Sequence, residues 1–191
     1  MDRLKIFETE LQYIRNPKIK EFTQKAVEKL PEYFFSVPAS STGKYHPSYA
    51  LGDGGLVRHT QAAVRIAIEL FRMDCFKYTE EEKDMIIASL ILHDGCKSGL
   101  EKSQYTITEH PLVIAKFVKE DQEIHDCLDE ETLNIITGNI ESHMGIWCYD
   151  YKTKKEVLPK PKTKMQHFVH WCDYLASRKC LEFNFDVPVV R

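Results

Sequence analysis

Met85-Ile86-Ile87-Ala88-Ser89-Leu90-Ile91-Leu92-His93-Asp94-Gly95-Cys96-Lys97 is the stretch on which the reading of this chain turns. A strongly apolar run that ends in an adjacent imidazole and carboxylate reads as a buried helix with its polar pair at the C-terminal end. Burying such a pair costs desolvation free energy unless something compensates it, and a divalent cation does so best. His93 and Asp94 are therefore candidate metal ligands. Thr79 is the expected N-cap, with Glu80, Glu81 and Glu82 at the positive end of the helix dipole, and Gly95 is the expected stop.

Working outward, the other segments also read as helices. Apolar positions at Leu4, Ile6, Phe7, Leu11 and Ile14, then Ile19, Phe22, Ala26 and Leu30, predict two short helices broken at Asn16-Pro17. Residues 31–55 carry loop chemistry, and Gly43-Lys44 lacks the spacing of a phosphate-binding loop. A helix follows from Leu56 to Met73 with Asp53 as N-cap candidate and His59 on its core stripe. Further helices are expected at His110–Glu120, Glu130–His143 and Lys164–Lys179. Without sustained period-two alternation the fold class is all-α. One domain spans 1–191, with N-terminal helices and loop at 1–50, a core at 51–180 and an extended tail at 181–191.

Composition limits the function classes. A formal net charge of -3 gives no global attraction to nucleic acid or membrane. No stretch approaches the roughly 18 apolar residues that span a bilayer, so no membrane partner is expected. The six cysteines, at 75, 96, 127, 148, 172 and 180, form no CxxC pair and suit reduced thiols, so a cytoplasmic location is expected.

The remaining donors recur at helix boundaries and on core stripes. His59 lies on one helix, His110 starts another, His143 ends a third, and Asp173 lies inside Trp171-Cys172-Asp173-Tyr174-Leu175. Taken singly, such a histidine is more often a hydrogen-bonded core or capping residue. Collectively the balance reverses, because a carboxylate amid large apolar neighbours is rarely buried unpaired. Four histidines and two aspartates suffice for one or two metal sites, with Mn, Fe, Co, Ni, Zn and Mg as acceptable ions.

In order along the chain, Gly54-Gly55-Leu56-Val57-Arg58-His59, Leu92-His93-Asp94-Gly95-Cys96-Lys97, Glu109-His110-Pro111-Leu112, Glu141-Ser142-His143 and Trp171-Cys172-Asp173-Tyr174-Leu175-Ala176-Ser177-Arg178 resemble the HD-domain metal-dependent phosphohydrolases. The resemblance covers residues 54–178. It implies an all-α helical bundle with the metal site in its core. It also implies that His59, His93, Asp94 and Asp173 hold one ion, and that His110 and His143 hold a second with Asp94 bridging. One departure is the order His93-Asp94-Gly95-Cys96-Lys97, in which the glycine has moved forward while the lysine keeps its place.

The resemblance further implies hydrolysis of a phosphoester or phosphoanhydride by a metal-bound hydroxide, with Asp94 and Lys97 as catalytic residues. Lys97 and Arg178 are candidates for binding the phosphate of a small, nucleotide-type substrate. Two alternatives are a 3′–5′ nuclease on single-stranded RNA or DNA and a non-catalytic module binding nucleotide or protein. The nuclease reading draws on Gly54-Gly55-Leu56 and on the lysines of 152–164, a segment that could border the site, though a solvated connector accounts for them as well. Trp147, Tyr149 and Tyr151 offer faces on which a base could stack, and core packing of Trp147 is the competing reading. His167 or His170 could orient Asp173 from behind. His46 and His125 receive no role, and Arg58 could touch substrate by its place before His59, with solvation on the helix surface the favoured reading. Oligomeric state stays open.

Overall fold

The computed structural model describes residues 2–40, 43, 46–150 and 152–181, and within these the chain is all-helical. In chain order the helices are α1 (Arg3–Ile6), α2 (Glu8–Leu11), α3 (Pro17–Lys29), α4 (Gly55–Leu70), α5 (Glu80–Leu92), α6 (His110–Glu120), α7 (Gln122–His125), α8 (Glu130–Glu141) and α9 (Lys164–Ala176). Short 3-10 turns at Glu32–Phe35 and Ser48–Ala50 interrupt the segment expected to be loop. The tail expected at 181–191 lies, from residue 182 on, outside the described residues, as does Tyr151.

Helix α5 organises the rest. From Asp84 to Leu92 every residue is buried, and the helix packs on α3, α4, α8 and α9. A helix apolar on all sides is stable only when surrounded, so its neighbours are drawn around it. Ile86, Ile87, Leu90 and Ile91 are essentially inaccessible, each contributing about 1.5–3 kcal/mol of transfer free energy. Its start is fixed by the predicted cap: the Thr79 hydroxyl accepts from the Glu82 amide, and the Glu82 carboxylate accepts from the Thr79 amide at 2.7 Å. Asp84, the one buried carboxylate inside the run, accepts from the backbone amides of Arg15 and Asn16, which ties the turn before α3 to the core.

Two expected helix signals work differently from the reading above. Gly95 does not take a left-handed stop conformation. A Cβ there would lie 2.6 Å from Leu30 and 3.1 Å from Ile114, so its missing side chain lets α3 and α6 close on the end of α5. Asp53 does not cap α4; Gly54 takes the N-cap position at φ 67°, without a side-chain cap. A Cβ on Gly55 would lie 2.3 Å from the Ala50 carbonyl oxygen, so the glycine pair is required where the preceding loop crosses the helix start.

The helix ends also shift by a residue or more. Helix α8 stops at Glu141, so His143 lies just beyond it, and α9 stops at Ala176 instead of Lys179. The first predicted helix is split at Phe7, whose ring is fully buried. All six cysteines are free thiols, but only Cys96, Cys148 and Cys172 are buried.

Candidate metal centre

The six predicted ligands come from α4, the end of α5, the start of α6, the turn after α8, and α9, and they meet. Their donor atoms form overlapping triads, His59/His93/Asp94, His93/His143/Asp173 and Asp94/His110/His143, each within 4.8 Å. His59, His93, Asp94, His110 and His143 are at most 2% exposed, whereas Asp173 reaches the surface of a cavity with 18% of its side chain. Asp94 divides its oxygens: Oδ1 lies 3.0 Å from His110 Nε2 and 3.8 Å from His143 Nε2. Its Oδ2 lies 3.7 Å from His59 Nε2 and 3.5 Å from His93 Nε2. Asp173 Oδ1 completes the other side, 3.0 Å from His59 Nε2 and 3.5 Å from His93 Nε2.

Backbone carbonyls fix which nitrogen of each ring faces the cluster. Nδ1 of His93 donates to Leu90 O at 2.6 Å, Nδ1 of His110 to Ile107 O at 2.8 Å, and Nδ1 of His143 to Ile140 O at 2.7 Å. A carbonyl can only accept, so Nδ1 carries the proton and Nε2 presents a lone pair in each neutral ring. His110 Nε2 and His143 Nε2 then face one another at 3.3 Å, and His93 Nε2, fully buried, has no hydrogen-bond partner. Converging lone pairs and carboxylates repel unless a cation or shared protons lie among them. The donor set of imidazoles and carboxylates fits a divalent ion of the Mn, Fe, Co, Ni, Zn or Mg kind, and the Nδ1–carbonyl bonds are the outer contacts that orient metal-binding histidines.

The electrostatics agree. Burial penalises the Asp94 carboxylate, but the Lys97 ammonium and the neighbouring His93 and His110 hold it ionised well below the usual range. Asp173 is likewise opposed by burial and held low by His59 and His93. Burial acts against charge on His93 too, yet Asp94 and Asp173 outweigh it and raise its pKa above 6.5. His143 goes the other way, to about 3, through burial and the neighbouring charge of His93. The two carboxylates thus favour positive charge among the rings they face.

Lys97 and Arg178 both line a cavity of about 480 Å3 with Asp173, His46, Met144, Trp147, Tyr174 and Ser177. Lys97 Nζ is bound to Asp94 Oδ2 at 2.5 Å. Its loop is braced by Tyr33, whose hydroxyl donates to Gly99 O at 2.6 Å and accepts from the Ser98 amide. Arg178 holds the Ser177 hydroxyl with its Nη2 at 2.7 Å and lies 4.3 Å over the Tyr174 ring.

Several expectations are corrected. His170 does not hydrogen-bond Asp173; its Nδ1 donates to His143 O at 2.7 Å and so braces the backbone of a cluster residue. His167 packs beside Trp171 in a separate pocket. The described lysines of 152–164 do not line the cavity of Asp173: Lys160 pairs with Glu156 at 2.8 Å, and Lys164 donates to Lys77 O. Arg58 is no solvated cation, since its guanidinium gathers the carbonyls of Tyr49, Leu51 and Asp53. Trp147 is 47% exposed and stacks on Tyr174, so it is not a core residue. His46 was missed: its ring lies 5.4 Å from that of His59. Burial, then His59 and Lys97, lowers its pKa to about 4. Sitting in an aperiodic loop, it offers no spacing by which sequence could align it with the cluster.

Fold and site together define an all-helical protein with a buried histidine and aspartate cluster able to hold a metal ion. Comparison with models of known families, with curated proteins and with solved structures returned no match. No helix among the described residues is long and apolar enough to cross a membrane.

Proposed function

We propose that this protein is a metal-dependent phosphohydrolase of the HD type, binding two divalent ions and cleaving a phosphoester or phosphoanhydride bond of a small, nucleotide-type substrate. The observation that carries the reading is the cavity in which Asp173, at the exposed edge of the cluster, shares walls with Lys97 and Arg178. A divalent ion bound there would supply Lewis acidity and would lower the pKa of water from about 15.7 toward about 7. His59, His93, Asp94 and Asp173 would hold one ion, and His110 and His143 the second with Asp94 between them.

The protein's own groups do the rest. Arg178 offers a planar donor fork to phosphate oxygens, and Lys97 offers the N–H donors not directed at Asp94. The cavity size falls in the range of about 300–1,000 Å3 typical of small-molecule sites, which favours a mononucleotide-sized ligand over a strand. A nuclease requires a basic track leading to the site, and the lysine-rich segment lies elsewhere. A purely structural metal site needs no cationic cavity beside it.

The test is hydrolysis, read by separation of the products, of a panel of nucleoside mono-, di- and triphosphates, dinucleoside polyphosphates, cyclic dinucleotides and labelled single strands, with protein loaded in turn with Mn, Fe, Co, Ni, Zn and Mg. Turnover of a small nucleotide that disappears in Asp94→Ala supports the reading. No turnover of any member with any ion, or shortening of the strands alone, overturns it.

A further inference from the structure

The cavity is lined by two kinds of side chain. His46, Lys97, Asp173 and Arg178 are polar or charged, while Met144, Trp147 and Tyr174 are apolar or aromatic, and the Tyr174 ring touches both Arg178 and Trp147. The hydrolase reading uses only the first kind. The aromatic part has its own construction, and it is tied by the chain to the cluster.

Trp147 follows His143 by four residues through a turn that is fixed at each step. The Gly145 amide donates to Ser142 O at 3.1 Å and the Trp147 amide to Met144 O at 3.0 Å. Gly145 sits at φ 58°, and a Cβ there would lie 2.3 Å from the His170 ring. No residue but glycine lets that ring fill the turn, from where its Nδ1 donates to His143 O. The indole then stacks on Tyr174 with centroids 5.5 Å apart and planes 15° from parallel, and it contacts His170 at 6.0 Å. Packed on Tyr174 and His170 yet 47% exposed, Trp147 presents a held aromatic surface at the cavity. Rigid aromatic surface beside a phosphate-binding end is what a nucleobase requires, because every base has a π-face to stack.

We infer that Trp147 is the specificity-determining residue of the site, a platform for the base of a nucleoside monophosphate whose phosphate lies at Lys97 and Arg178. Gly145 and His170 are positioning residues for it. The inference rests on the hydrolase reading for the place of the phosphate, but it is tested by binding. The only two tryptophans are Trp147 and Trp171, and Trp171 lies at a separate pocket, so Trp171→Phe leaves one reporter.

In that background, adenosine 5′-monophosphate is expected to quench the emission of Trp147, while ribose 5-phosphate and inorganic phosphate bind without quenching. Trp147→Leu should weaken adenosine 5′-monophosphate about tenfold, the fold-change expected for one lost stack, and leave inorganic phosphate unchanged in calorimetry. Trp147→Phe should recover part of the loss, and circular dichroism of each variant should match the parent. Equal affinity for adenosine 5′-monophosphate and ribose 5-phosphate, or an equal loss of adenosine 5′-monophosphate and phosphate in Trp147→Leu, overturns the platform. Equal hydrolysis of base-bearing and base-free esters would overturn the platform and leave the hydrolase standing. Quenching by the nucleotide with no turnover of any substrate would sink the hydrolase and leave the platform.

Discussion

Stripping divalent ions from the protein and restoring them should move its thermal stability by several degrees, and the cluster allows the size to be worked out. Three imidazoles have their Nε2 lone pairs fixed inward by carbonyl bonds at 2.6–2.8 Å, and two carboxylates face them. In the unfolded chain the ligands are dispersed over more than a hundred residues, so binding to it is weak. An ion at one hundred times its dissociation constant then stabilises the folded state by about 2.7 kcal/mol. For a chain of this length each kcal/mol is worth about 2–4 °C, giving a rise of about 5–11 °C. Differential scanning fluorimetry of chelator-treated protein, titrated with Mn, Fe, Co, Ni, Zn and Mg, reads this directly. Asp94→Asn, which keeps the shape but removes the charge shared by all four histidines, should abolish most of the rise. No rise with any ion, or an undiminished rise in Asp94→Asn, would refute the assignment of these six residues as a metal centre.

Ion affinity should fall on acidification through the raised pKa of His93, because that ring must lose its proton to become a ligand. Asp94 and Asp173, held well below 3.8, stay ionised throughout. Competition with a metal indicator at pH 8 and pH 5.5 tests the sign, and His93→Gln should flatten its dependence. Arg178→Ala should lower kcat/KM about 10- to 100-fold in the nucleotide assay through loss of a charged hydrogen bond to phosphate, with Arg178→Lys recovering only part. Glu10 is buried with both carboxylate oxygens lacking a hydrogen-bond partner, and burial raises its pKa despite Arg65 nearby. The folded state therefore holds its proton more tightly than the unfolded one, and stability is lost as pH rises from the unfolded value of 4.5 through the raised one. Glu10→Gln should raise the melting temperature at pH 7 and lose that advantage below about pH 4.5.

Much of this was readable from residue order because the signals were strong and local. Thr79 with Glu82, the apolar run of α5 and Pro111 in the first turn of α6 each act within a few residues. The membership of the buried cluster was readable because burial of an imidazole beside a carboxylate is costly enough to be informative wherever it recurs. What escaped depends on contacts between distant segments. Gly95 looked like a helix stop, but the reason for it is Leu30 and Ile114 arriving from α3 and α6. Arg58 looked like a solvated cation, and only the returning loop shows the carbonyls it collects. His170 shares a helical face with Asp173, yet the glycine turn after His143 supplies a nearer acceptor. His46 travels on a loop whose path no periodicity encodes.

The split loyalties of Asp94 bear on how the centre would fill. With Oδ2 turned toward His59 and His93 and Oδ1 toward His110 and His143, neither half can draw on this carboxylate without altering the charge the other half feels. Successive ions are thus thermodynamically linked through one side chain, and a calorimetric isotherm for loading should depart from that of two independent sites.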